Sequence, residues 1–151
     1  MLSVGLLLHR EAGGEVEVLL GHMGGPFWAT KDDHAWTIPK GLPEEDETDL
    51  LAIAEREFAE EMGWPAPDGE TVDLGSCKAG RKTNHVFARR ADFDAASIVS
   101  NTFELEWPPK SGQMQAFPEV DRAAWWAIEN ATTKLVKGQR PFLDRLLASL
   151  T

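Results

Sequence analysis

The chain of 151 residues has one cysteine, no tyrosine, and 15 Lys+Arg set against 25 Asp+Glu. Each shortage removes a class of protein. A single thiol, Cys77, closes no internal disulfide, which excludes a disulfide-stapled scaffold and fits a reducing, cytoplasmic setting. A formal charge of −10 offers no basic face to duplex nucleic acid or to an anionic membrane surface. No apolar run nears the roughly 18 residues that a membrane-spanning helix needs. The apolar start from Ser3 to His9 has no basic flank and no small-residue cleavage site, so it reads as a strand rather than a signal peptide. Repeats, low-complexity tracts and linkers are also missing, and residues 1–151 are expected to form a single domain.

What is present is material for a core: six Trp, seven Phe and a hydrophobic fraction of 42%. Ser3 to His9 and Val16 to Leu20, separated by Gly13-Gly14, read as a hairpin. Gly21 to Ala35 is a loop carrying Phe27 and Trp28, and Trp36 to Ile38 is a short strand closed by Pro39. Thr48 to Met62 is the clearest helix, with Thr48 as the expected N-cap, Asp49 in the first turn, Gly63 at the C′ position and Pro65 beyond it. Thr71–Cys77, Asn84–Arg89, Thr102–Trp107 and Ala123–Ala127 read as strands, the last with Trp125 and Trp126 on opposite faces. Ile128 to Val136 reads as a short helix. Pro141 to Leu150 is a second clear one, its apolar side made of Phe142, Leu143, Leu146, Leu147 and Leu150. Strands outnumber helices, and the helices remain to cover a mixed sheet. The expected class is a layered α/β/α or α+β domain.

At about 100° per residue, Leu51, Ala54, Phe58 and Met62 share one arc of the Thr48–Met62 helix, which should pack on the sheet. Glu57, Glu60 and Glu61 share a second arc, at i, i+3 and i+4. Like charges at that spacing destabilise a helix by a few tenths of a kcal/mol per pair. One explanation is a solvated acidic face. The other is a hard divalent cation, since Mg²⁺ takes oxygen ligands and is commonly held by one or two carboxylates, waters and substrate phosphates.

The surroundings favour the second. Gly41 to Trp64 resembles the Nudix box, G-x5-E-x7-R-E-U-x-E-E-x-G-U with U apolar. Arg56, Glu57, Phe58, Glu60, Glu61, Gly63 and Trp64 match every fixed position of its second half, and Gly41 and Glu47 match the first. Eight residues separate Glu47 from Arg56 where the pattern has seven. One residue is therefore extra, and either Glu47 or Thr48 stands where the first box glutamate belongs.

The resemblance implies a Nudix-like α/β/α sandwich with a mixed β-sheet. It also implies a Mg²⁺- or Mn²⁺-dependent hydrolase that cleaves a pyrophosphate bond in a nucleoside diphosphate linked to another group. Glu57, Glu60, Glu61 and the backbone carbonyl near Gly41 would be metal ligands, and Arg56 would orient a box glutamate. A further carboxylate from outside the box would serve as ligand or general base. Glu119, six residues before Trp125, is the candidate, with Asp121, Glu104 and Glu106 as competitors. Lys40 stands where it could touch a phosphate or pair with Glu47. Lys78, Arg81 and Lys82 form a small basic cluster, suited to a distal phosphate or to a solvated turn. Trp28, Trp36 and Trp107 are candidate base platforms, Trp107 foremost, and each is equally suited to packing. His34 reads as a loop residue, His85 as a strand residue and Cys77 as a buried thiol. Two other readings stay open. One is a catalytically weak Nudix-like domain that binds a nucleotide and regulates a partner. The other is an interaction module using Phe27-Trp28 and Trp107-Pro108-Pro109, for instance as a homodimer contact.

Overall fold

The computed structural model describes residues 1–151. Its first two strands, β1 (Leu2–Ala12) and β2 (Glu15–Met23), form the expected antiparallel hairpin. Gly13 and Gly14 turn it, both at positive φ, as a two-residue hairpin turn matched to strand twist requires. β1 is buried without a break from Ser3 to His9. The reason is its place: it lies mid-sheet with helices on both faces, so neither side of the strand meets water.

Beyond the His9–Val18 pair, β2 leaves β1 and continues beside β3 (Trp36–Thr37) and β9 (Val120–Ala127). The edge of β1 freed at Val4 and Gly5 is taken by β4 (Lys40–Gly41). A Cβ at Gly5 would sit 2.8 Å from the Pro39 carbonyl oxygen, so only glycine lets the chain cross there. On the other side of β1 lies β6 (Lys82–Arg90), parallel to it, and then β5 (Thr71–Ala79), antiparallel to β6. The sheet is therefore mixed, as expected.

Alternation splits the core in two. Val4, Leu6, Leu8 and Leu19 point to one layer with α1 (Leu50–Met62). Leu7, Val18, Leu20, Val86 and Ala88 point to the other, where Ala131 of α2 (Ile128–Lys134) and Phe142, Leu143 and Leu146 of α3 (Pro141–Ser149) cover them. Trp125 packs against the first layer and Trp126 against the second, which bears out their expected opposition. No helix is long and apolar enough to cross a membrane.

Four local expectations are corrected. Asp49, not Thr48, caps α1: its carboxylate accepts from the Leu51 and Ala52 amides at 3.1 and 3.3 Å. Such a cap is worth about 1 kcal/mol. At the tail of α3, Leu147 and Leu150 are exposed rather than buried on the apolar side. Cys77 is half-buried rather than buried. Finally, Met114–Pro118 forms β8, which pairs with β7 (Thr102–Glu106) as a separate two-stranded ribbon.

Candidate active site

The site begins with where α1 turns its acids. The buried face of the helix is Ile53, Ala54, Glu57, Phe58, Glu61 and Met62, rotated from the expected arc so that it takes in two glutamates and leaves Leu51 half-buried. Glu57 and Glu61 are each only 7% exposed. A solvated acidic face therefore does not describe them. Both look at β4. The Lys40 amide donates to Glu61 Oε1 at 3.3 Å. The Glu57 carboxyl lies against the Cα of Gly41, where any Cβ would overlap it. Glycine at position 41 is thus a space requirement of Glu57. Gly41→Ala is expected to displace that carboxyl and weaken Mn²⁺ binding about tenfold or more, measured by titration calorimetry. Unchanged affinity would show that Glu57 is not a ligand.

Burial pushes the Glu57 carboxyl up in pKa; Arg56 opposes the rise, while Glu60 and Glu119 add to it. Glu61 is pushed up to about 8, first by burial, then by Glu119 and Glu57. Burial and Glu60 also raise Glu119. Three carboxyls held above their usual range around one cavity form a site short of positive charge.

The one guanidinium at hand is Arg56, and its fork is fully used. Nε and Nη2 grip the two oxygens of Glu47 at 2.8 and 2.6 Å. Nη1 donates to Glu57 Oε1 at 2.9 Å and Glu60 Oε2 at 3.0 Å, and Nη2 also reaches the Leu42 carbonyl. This bidentate pair settles the ambiguity in spacing: Glu47 faces Arg56, and the extra residue lies between the two. Glu47 further accepts from the Glu44 amide at 2.8 Å, closing the acidic loop on itself.

A cavity of about 480 Å³ opens over these groups, lined by Lys40, Gly41, Arg56, Glu57, Glu60, Glu61 and Glu119, with Leu42, Pro43 and Glu44 at its side. Of the four carboxylates weighed as the extra acid, Glu119 alone lines it. Asp121 turns away, hydrogen-bonded to His22 Nδ1 at 2.8 Å. Glu104 and Glu106 sit on the exposed side of β7, and Glu106 accepts from the Lys110 amide. Backbone bonds fix Glu119 from both sides: its amide donates to Asn101 O, and its carbonyl accepts from Gly24. The Asn101 amide in turn donates to the Glu60 carbonyl, tying this segment to the end of α1. Ser100 and Asn101 were invisible as site residues in the sequence, since their part is played by backbone and one hydroxyl.

Of the other candidates only Lys40 lines the cavity. Trp36 is buried between His22 and Trp126 and is a core residue, not a base platform. Trp28 packs against the α2–α3 layer. Trp107 does meet an aromatic, Phe27, edge-on at 5.3 Å, where loop and ribbon join. Lys40 makes no salt bridge with Glu47; burial lowers its ammonium pKa, which Glu61 pulls back and Lys82 depresses further. Lys78, Arg81 and Lys82 lie at the exposed β5–β6 turn. His34 accepts at Nδ1 from Arg140 in its loop.

The residues suit a hard cation in chemistry: carboxylate and carbonyl oxygens, an unmet negative charge, and a glycine that makes room. As they stand, no three His, Cys, Asp or Glu side chains converge on one point. Arg56 holds Glu57 and Glu60 toward itself, and Mg²⁺ needs only one or two carboxylates beside its waters.

The sequence matches the NUDIX domain over residues 1–146. The chain belongs to the Nudix family. Solved Nudix structures share its fold. The NUDIX domain of Shewanella oneidensis NrtR, complexed with ADP ribose, aligns with TM-score 0.64 at 19% identity, covering 100% of this chain and 88% of that one. A C. elegans Ap4A hydrolase binary complex gives 0.58 at 23%, covering 99% and 96%. RenU, a Nudix hydrolase from M. smegmatis, gives 0.59 at 20%, covering 99% and 86%. No curated protein matches the chain. Membership of the family supports pyrophosphate hydrolysis in general, and the mixed sheet between helices is the Nudix fold.

Proposed function

We propose that this Nudix domain hydrolyses a pyrophosphate bond in a nucleoside diphosphate linked to a second group, with Mg²⁺ or Mn²⁺ held by Glu57, Glu60, Glu61 and the Gly41 carbonyl. The observation that carries the reading is the pair of buried carboxylates, Glu57 against Gly41 and Glu61 on the Lys40 amide, beside a cavity whose single guanidinium is already shared among four glutamates. When bound, the ion neutralises phosphate charge and acidifies a water for in-line attack.

The chain's own groups do the rest. Arg56 aims Glu57 and Glu60, with Glu47 as its anchor. Glu119 accepts the proton of the attacking water; partial burial and Glu60 raise its pKa, which makes it a better base than an ordinary carboxylate. Lys40 at the mouth meets a substrate phosphate, and Trp107 with Phe27 offers an aromatic face to a base. Most of the work is positioning and electrostatics, as phosphoryl chemistry requires. The charge of −10 and single cysteine support a cytoplasmic protein with a small nucleotide-type substrate, without duplex nucleic-acid or membrane partners.

The test is a hydrolysis panel with Mg²⁺ or Mn²⁺. ADP ribose and a dinucleoside polyphosphate belong in it, because the S. oneidensis domain holds the first and the worm enzyme is named for an example of the second. Nucleoside triphosphates and nucleotide sugars complete it. At least one member is expected to release phosphate-containing products, and chelator should abolish the release. Tight binding without turnover across the panel would instead support a nucleotide-binding regulatory domain.

A further inference from the structure

Away from the glutamate cavity, three residues of β5 and β6 form a hydrogen-bonded chain that the hydrolase reading leaves unused. Ser76 Oγ lies 2.8 Å from His85 Nδ1, and His85 Nε2 lies 2.7 Å from Asp73 Oδ1. Donor and acceptor roles close in one way. Asp73 as a carboxylate can only accept, so Nε2 carries the hydrogen. Nδ1 is then the lone-pair nitrogen and accepts from the Ser76 hydroxyl. We infer that Ser76 is an activated nucleophile, with His85 as its general base and Asp73 as the group that orients the base, and that it takes a small activated carboxylic or phosphonic ester.

The backbone builds this arrangement deliberately. Ser76 and His85 are direct cross-strand partners, whereas the next pair in register is Asp73 with Phe87. The two residues between, Leu74 and Gly75, bulge out of the ladder. That irregularity brings Asp73, three positions before Ser76, to the same imidazole. Gly75 adopts φ 77°, a conformation in which a side chain is strained. Its amide donates to Asp73 Oδ1 at 2.7 Å and so aims the carboxylate. Arg145 of α3 clamps the bulge by donating to the carbonyls of Leu74 and Ser76 at 2.7 and 3.0 Å. Bulges of this kind are used to re-aim side chains next to reactive sites.

Asp73 has 55% of its side chain exposed and is held in place by the hydrogen bonds just described. The His85 side chain is 15% exposed, flanked by the Phe87 ring at 5.1 Å, so the base is partly shielded. Ser76 is exposed and open to a reagent. The two imidazole nitrogens exchange the roles they have in the familiar Ser-His-Asp triads, but the nucleophile–base–orienter logic is the same.

Ser76 Oγ attacks the carbonyl carbon or the phosphorus, and its proton passes to His85 Nδ1. The bond to the leaving group breaks, and the leaving oxygen or fluoride takes away the bonding pair and then the proton from His85. Ser76 is left as an ester, and Asp73 only orients His85 throughout.

The experiment uses the full chain with chelator present, which separates it from the metal-dependent hydrolysis. The protein is treated with a small alkyl fluorophosphonate and, separately, with p-nitrophenyl acetate. The expected result is one added phosphonyl or acetyl group per chain, mapped to Ser76 by peptide mass spectrometry. Its rate should fall about a hundredfold in His85→Gln and clearly in Asp73→Asn, with circular dichroism and melting unchanged. If one of these variants does not fold, the other and Ser76→Ala carry the comparison. Absence of labelling, labelling at Cys77 or another residue, or a rate indifferent to His85 and Asp73 would overturn the assignment.

Discussion

Glu60→Gln is expected to lower turnover at least about a hundredfold, a loss of roughly 2.7 kcal/mol of transition-state stabilisation. Glu60 is the most exposed of the three box acids, with 36% of its side chain accessible. Its change to the isosteric amide should therefore leave the fold intact. The amide still fills the place beside Arg56 Nη1, which now lies 3.0 Å from Glu60 Oε2. What disappears is one negative charge at the cavity. The loss should be largest in kcat at saturating metal, and excess Mn²⁺ should recover little of it. Glu119→Gln should be slower than wild type with metal affinity nearly unchanged, since it removes the proposed base and keeps the box. Equal turnover in wild type and Glu60→Gln would sink the metal-site assignment.

The contrast between Glu60 and its neighbours shows what the sequence could and could not convey. The i, i+3, i+4 spacing, with Arg56 before it and Gly63 after, was enough to place three carboxylates together. It was not enough to say which of them are buried. An apolar-arc reading counts Leu51, Ala54, Phe58 and Met62 and leaves glutamates to solvent by default. The helix instead turns Ile53 inward and lets Glu57 and Glu61 face β4. The deciding partner is Gly41, whose missing side chain makes the space, and no periodicity within α1 reports on it.

Elsewhere the same division holds. Strands with one or two buried faces were legible from their alternation or unbroken apolar runs. β8 was not: of its five residues Met114, Gln115 and Ala116 are exposed, so neither period nor burial marks it, and it exists through pairing with β7. The extra residue between Glu47 and Arg56 left two registers open by counting. A guanidinium with two oxygens in its fork chooses between them. Ser76, His85 and Asp73 lay beyond any spacing rule, because a bulge in the ladder brings them together. Contacts that depend on a missing Cβ, a register shift or a side-chain fork are three-dimensional facts, and local pattern carries none of them.

The burial of Glu61 leads to the second large effect, on stability rather than rate. Its carboxyl stands at about 8 in the folded protein against an ordinary 4.5. The folded state therefore binds the proton more tightly than the unfolded state does. Stability contributed by the protonated acid is fully present below about pH 4.5 and is lost as pH rises through about 8. Glu57 and Glu119, also raised, act in the same direction. A cation that binds the folded chain only should offset the loss, more so as pH rises, because its ligands must be deprotonated. Glu61→Gln removes the titration. Without metal it is expected to melt close to wild type at acid pH. Near pH 8 it should melt higher by about 3 °C or more, the shift that roughly 1 kcal/mol produces in a domain of this size. Added Mg²⁺ or Mn²⁺ should raise the wild-type midpoint near pH 8 and move the variant much less. The comparison is a difference between two proteins at each pH, so the titration of acids remote from Glu61 cancels. A gap between variant and wild type that does not change with pH would show that Glu61 is not held protonated by its surroundings. A metal response that survives the substitution would remove Glu61 from the ligand set.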